Sequence, residues 1–269
     1  MDPADARQQV AERAAKAASV PPHLMEPFFS EANKEVLAAF ARNPNLQERD
    51  LLRLLQRKDL PAEALREVAA HPQAHRNYAV KVALVQHPRT PRLISLPLTK
   101  FLYLFDLVRI SHAPAVPTEI KMLAEETILK GITATPRGEK ITLARRATGR
   151  VAAALLVTDD RELIRAALEN PFLTEANLIR VLALENLPPA VVGLIATHEK
   201  WSCRYHLRLA LVRNPLTPFA RVLAFIPELA LTDLRDICLA RRMPEHVRKY
   251  VLNHCAERLG KKSASPGSL

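Results

Sequence analysis

ALVQHPRTP, residues 83–91, and ALVRNPLTP, residues 210–218, are near-copies of one another within a chain of 269 residues. The offset of 127 that aligns them lays residues 34–121 over 161–248 with 28 identities in 88 positions and no gap. Chance at this composition would give roughly five or six. The matches fall on punctuation as well as on apolar positions. Asn43-Pro44 faces Asn170-Pro171, Leu60-Pro61 faces Leu187-Pro188, His71 faces His198, Tyr78 faces Tyr205, and Asp106-Leu107 faces Asp233-Leu234. The chain is an internal duplication, and its fold follows from what one copy is.

Each copy is too long for one repeat unit, and a third of 127 is about 42, close to the period of two-helix solenoid repeats. Pro44 and Pro88 stand 44 apart, as do Pro171 and Pro215. Amphipathic stretches lie between these marks. In QERDLLRLLQRK, residues 47–58, Leu51, Leu54 and Leu55 form an apolar stripe, continued by Val68 or Ala69 of the next segment, with Arg49, Arg53 and Arg57 opposite. Leu178, Val181 and Leu182 repeat it in the second copy. With only 6 Gly against 21 Pro, phosphate-cradling loops, Rossmann turns and tight hairpins lose their material, and proline must do the turning. In Asn43-Pro44, His71-Pro72, His87-Pro88, Asn170-Pro171 and Asn214-Pro215, proline drives its predecessor out of the α region, and a left-handed Asn is expected to close the helix. In Thr90-Pro91 and Thr217-Pro218 the threonine is expected to cap the next helix with proline at its first position. Asp106 and Asp233 are expected to cap helices as well.

The pattern resembles HEAT-like α-solenoids over roughly residues 32–258. The A-x-N-P-x-L-x-x-x-x-L run from Ala41 to Leu51 is also similar to leucine-rich-repeat-variant proteins. The resemblance implies an all-α, right-handed solenoid of about six helix pairs. Residues 1–31 read as an N-terminal helix and linker, 32–160 as a first copy, 161–258 as a second, truncated copy and 259–269 as a flexible tail. Leucine-rich-repeat-variant proteins can carry a cysteine-ligated cluster, but Cys203, Cys238 and Cys255 form no matching group, so no cofactor is implied. HEAT-like DNA glycosylases rely on aromatic residues around a basic groove. With one Trp and no paired aromatic motif, that activity is not carried over.

A formal charge of +11 calls for an acidic partner without choosing among protein, nucleic acid and an anionic surface. The nine histidines form no H-E-x-x-H or zinc spacing, and no nucleophile elbow or Walker motif is present, so a non-enzymatic reading leads. No uncharged apolar run reaches the 18 or so residues that span a bilayer, the N-terminus lacks a signal-peptide apolar region, and the scattered cysteines suit a reducing compartment. A cytoplasmic protein is the expectation.

The strongest binding candidate is RGEKITLARRATGR, residues 137–150. Arg137, Lys140, Arg145, Arg146 and Arg150 oppose Glu139 alone. It is read as a part of the first copy that the second lacks, and as either a solvated helix face or an anion-binding patch. Arg204 and Arg208, beside Trp201, complete the candidate set; Trp201 itself either staples two repeats or meets a partner. The basic C-terminal stretch from Arg235 to Lys262 reads as a polar cap on the last repeat. The expected function is a scaffold whose basic face binds an acidic peptide or protein through arginine–carboxylate pairs. The alternative is phosphate-backbone binding of nucleic acid through the same face.

Overall fold

Asn33 and Asp160, 127 residues apart, do the same thing. The Asn33 side chain accepts from the backbone N–H groups of Glu35 and Val36, and the Asp160 carboxylate from those of Glu162 and Leu163. Each satisfies two donors that a helix start leaves unpaired. The computed structural model describes residues 3–239 and 245–263, and there the chain is all-helical, without a strand. It forms two compact units, residues 1–131 and 132–269.

The first unit contains α1 (Pro3–Ala17), α2 (Lys34–Ala41), α3 (Glu48–Gln56), α4 (Ala62–Ala70), α5 (Pro72–Arg76), α6 (Tyr78–Gln86), α7 (Arg92–Thr99), α8 (Leu104–His112) and α9 (Thr118–Gly131). The second contains α10 (Arg137–Arg146), α11 (Gly149–Leu155), α12 (Arg161–Leu168), α13 (Glu175–Leu182), α14 (Pro189–Thr197), α15 (Glu199–Ser202), α16 (Tyr205–Arg213), α17 (Phe219–Phe225), α18 (Leu231–Leu239) and α19 (Glu245–Ser263). Shifted by 127, α2, α4, α6 and α8 coincide at both ends with α12, α14, α16 and α18. The apolar stripes behave as the periodicity predicts: Leu51, Leu54, Leu55 and Val68 are buried in one unit and Leu178, Val181 and Leu182 in the other.

The turns are built from side chains rather than from left-handed backbone. Among the described residues no non-glycine has positive φ, so the expected left-handed Asn is corrected. His87 and Asn214 instead stay extended, at φ −75° and −87°. Each of these Asn and His residues before proline works as a latch, donating from its side chain to a distant carbonyl and accepting a backbone N–H two residues on. Asn43 donates through Nδ2 to Ala17 O (3.0 Å) and Val20 O (2.9 Å) and accepts from the Asn45 N–H. Asn170 donates to Ala144 O (2.7 Å) and Ala147 O (2.9 Å) and accepts from the Phe172 N–H. His71 accepts the Gln73 N–H on Nδ1, which leaves its proton on Nε2 to reach Asn43 O at 3.1 Å. Extended backbone with a side chain serving buried carbonyls explains how so few glycines suffice.

Two further expectations change. Thr90 and Thr217 do not cap the following helices, whose N-caps are Pro91 and Pro218 without side-chain bonds. Their hydroxyls point backwards and donate to Leu84 O (2.7 Å) and Leu211 O (2.6 Å), closing α6 and α16. Asp106 and Asp233 are likewise not caps. The Tyr78 hydroxyl donates to Asp106 at 2.5 Å while accepting the Tyr103 N–H, and Tyr205 repeats this with Asp233 and the Ala230 N–H. Burial and the adjacent carboxylate push the Tyr78 hydroxyl up to about 12.

The Asn latches also extend the duplication upstream of the stretch that sequence identity marks. Ala17 and Val20 occupy the positions of Ala144 and Ala147, so residues 10–20 stand in register with 137–147. The basic segment therefore has a counterpart, the C-terminal half of α1. That helix packs on α2, and Ala17, Val20, Met25 and Phe29 join the buried cluster of Phe40, Leu51 and Leu65. Residues 21–30 hold Pro21, Pro22 and Pro27 and fold as 3₁₀ turns (Pro22–Leu24 and Glu26–Ser30), whereas the proline-free equivalent is the continuous α11. At the C-terminus α19 continues through Ser263. Arg241 and Arg242, and residues 264–269 of the expected tail, lie outside the described residues.

Candidate protein-interaction grooves

Several of the side chains predicted to bind a partner are engaged within the second unit. Arg137 opens α10 and grips Asp160 through Nε (2.6 Å) and Nη2 (3.1 Å), with Nη2 also on Glu162 at 2.6 Å. The guanidinium holds the Asp160 carboxyl down at about 2. Because Asp160 is also the N-cap of α12, Arg137 ties the start of one helix to the start of another. Lys140 donates to Thr133 O at 3.3 Å. Arg208, its side chain 19% exposed, donates to Ser202 O and Glu228, both at 2.7 Å, and lies over the Phe225 ring. Arg145 and Arg146 at the end of α10, Arg150 at the start of α11, and Arg204 before α16 are exposed. Ala144, Ala147 and Val151 form the buried side of this segment, as expected, while Ile141 is half-buried.

Trp201 belongs to the core. Its ring is 3% exposed, Nε1 donates to Leu168 O at 2.9 Å, and Lys200 covers one face at 4.3 Å. It staples α15 to the end of α12, in the place of Ala74 in the first unit. Arg258, in the basic C-terminal stretch, donates to Leu229 O at 2.7 Å, so part of that expected cap also works inside the unit.

The arrangement that recurs between the units is a groove. In the first it lies between α3 and α6, has a volume of about 370 Å³ and is floored by Leu52, Leu55, Ala83 and Pro88. In the second it lies between α13 and α16, has about 450 Å³ and is floored by the matching Ile179, Leu182, Ala210 and Pro215. His87 and Asn214, the latches that close α6 and α16, sit at equivalent positions on the two walls. Each latch donates to a carbonyl at the end of the other helix of its pair, His87 to Arg57 O at 2.7 Å and Asn214 to Leu182 O at 3.0 Å. The groove thus accompanies the latch that closes α6 in one unit and α16 in the other. Its lining is ordinary aliphatic residues at helical spacing, which the sequence reading assigned to packing alone.

Among the described residues no group of three His, Cys, Asp or Glu side chains is placed to hold a metal ion, and no helix is long and apolar enough to cross a membrane. No family model, no curated protein and no solved structure matches the chain.

Proposed function

We propose that this chain is a non-enzymatic, HEAT-like α-solenoid of about six helix pairs that binds an acidic peptide or protein. The observation that carries the reading is the groove built twice at the same positions. An apolar floor of Leu or Ile, Leu, Ala and Pro, open to solvent between two helices, is a surface for side chains of a partner. Preference for acid comes from charge: the excess of basic residues includes Arg145, Arg146, Arg150 and Arg204, all exposed on the second unit. Guanidinium forks pair with carboxylates in two-point geometry. The exposed Arg145, Arg146 and Arg150 also suit phosphates, and nucleic-acid binding is the second reading.

A pull-down of full-length chain from native lysate, with and without nuclease, tests the two. The protein-binding reading expects a retained partner that survives nuclease and is lost by the R145A/R146A/R150A variant. Nuclease-sensitive retention, with a log-affinity against log-salt slope for duplex DNA that falls by about 0.9 per arginine removed, gives the function to phosphate binding instead.

A further inference from the structure

The two grooves share a floor and differ at the rim, and the difference runs in one direction. In the first unit the rim positions are Arg57 and Arg89. Arg57 donates to the carbonyls of Phe29 and Glu31, both at 2.8 Å, and pairs with Asp59, whose backbone carbonyl accepts from Arg89 at 2.9 Å. These arginines are straps. Arg89 serves the loop between α3 and α4, and Arg57 serves carbonyls at the end of the region where prolines break the chain into 3₁₀ turns. In the second unit that segment is helical, and Leu156 O, the counterpart of Phe29 O, accepts from the Thr158 N–H at 2.8 Å. No strap is required there, and the matching positions hold Leu184 and Leu216, which are 47% and 38% exposed.

Leu184 and Leu216 both line the second groove, so its apolar floor continues outward onto an apolar rim. A single exposed leucine is ordinary on a monomer, but these two line one groove together with its apolar floor and so make a contiguous apolar surface. The same groove carries a cation in its wall, the exposed Arg213, and a second, Arg180, is exposed on α13. Glu185 is the acid beside them.

We infer that the groove between α13 and α16 is a docking site for a short peptide segment. Its occupant carries one bulky aliphatic or aromatic side chain that enters between Leu184 and Leu216, with an Asp or Glu a few residues away facing Arg213. The first groove, with bonded arginines where the second has these two leucines, lacks the apolar rim and does not take this ligand. The inference rests on the protein-binding reading above and narrows it to one groove of the two.

Fluorescein-labelled dodecapeptides in a Gly/Ser host, with a central Phe and an Asp two residues on, are the probe for the full chain by fluorescence polarisation. The expected result is binding that disappears when Phe is replaced by Ser and weakens when Asp is replaced by Lys. L184R/L216R, which installs side chains the fold already accommodates at these positions in the other unit, is expected to weaken binding at least tenfold with an unchanged circular dichroism spectrum. R213E should reverse the preference between Asp and Lys. K58E/Q86E, on the wall of the first groove, should leave binding as it is. Equal binding of the Phe and Ser peptides, or wild-type affinity in L184R/L216R, overturns the site. Peptide binding lost in L184R/L216R without any partner retained from lysate would uphold the groove and remove the acidic-scaffold reading; a retained partner with no peptide binding would remove the groove alone.

Discussion

The first unit ties itself down with arginines where the second exposes hydrocarbon. Arg57 and Arg89 bridge carbonyls around the first groove, and Arg92 reaches Glu119 at 2.6 Å; the matching residues are Leu184, Leu216 and Phe219. The cause lies in a different stretch of chain. Pro21, Pro22 and Pro27 prevent a helix at residues 21–30, so side-chain donors must reach the carbonyls of Phe29 and Glu31. Their absence from the second unit allows α11 to form, and the position matching Arg57 is released from structural duty. Relief of one local constraint in one copy thus frees a position that is a support in the other.

Trp201 is a large buried side chain where the first unit has Ala74, and its removal should produce the largest effect. Its ring is buried and bonded to the end of α12, whereas the first unit has only the small, buried Ala74 at that position. Trp201→Ala should cost roughly 3–5 kcal/mol, through lost burial, a cavity and an orphaned Leu168 carbonyl. Urea unfolding with probes in each unit should place the loss in the second. An equal loss in the first would show that the units unfold as one body, and that the comparison between them holds for structure but not for stability.

The Asn latches sharpen the comparison from the opposite side, since here the units should agree. Asn170→Ala strands Ala144 O and Ala147 O, Asn43→Ala strands Ala17 O and leaves Val20 O to Asn45 Nδ2 at 3.3 Å, and each should cost about 2 kcal/mol in urea denaturation. A neutral result at Asn170 with a large one at Asn43 would mean that the register joining residues 137–147 to 10–20 has no energetic content.

The helices and the positions of the turns were legible because both follow from residue type and period: leucine stripes bury themselves, and proline ends a helix wherever it stands. What the residue before proline does was not legible. Asn and His signalled backbone conformation, whereas their work is to donate across 23 to 32 residues to carbonyls that only the folded chain brings near. The upstream register was hidden for a related reason. Ala17 and Val20 match Ala144 and Ala147, and any small apolar residue offers the same carbonyl and the same burial, so identity there is not required. Arg137 and Arg208 were read as charge, and charge in sequence carries no record of Asp160 or Glu228 closing on it. The groove escaped because aliphatic floors look like core. Its one visible sign was the exchange of Arg57 and Arg89 for leucine across the duplication, which becomes informative only once both arginines are seen to be bonded.

The smallest expected effect concerns His87 and Asn214, which hold the same latch with different chemistry. The Arg89 N–H donates to His87 Nδ1 and the Leu216 N–H donates to Asn214 Oδ1, so His87 must keep Nδ1 unprotonated to do what an amide does at any pH. Burial lowers the His87 imidazole below its ordinary value; its bond to Arg57 O opposes this, Arg89 adds to the lowering, and Asp59 opposes it. The unfolded chain therefore binds the proton more readily, near the ordinary histidine value of about 6.5. Stability from this latch is complete above that value and is lost as pH falls through it toward the folded-state value and below. His87→Asn replaces the ring by the group already proven at Asn214. It should leave the urea midpoint at pH 8 nearly unchanged and shrink the loss on going from pH 8 to pH 5 relative to the wild type. The reverse exchange, Asn214→His, should enlarge that loss, because it installs a titrating latch in the second unit. If both variants keep the wild-type pH profile, the two residues are equivalent only in geometry, and acid sensitivity must be sought at the carboxylates, beginning with Asp160.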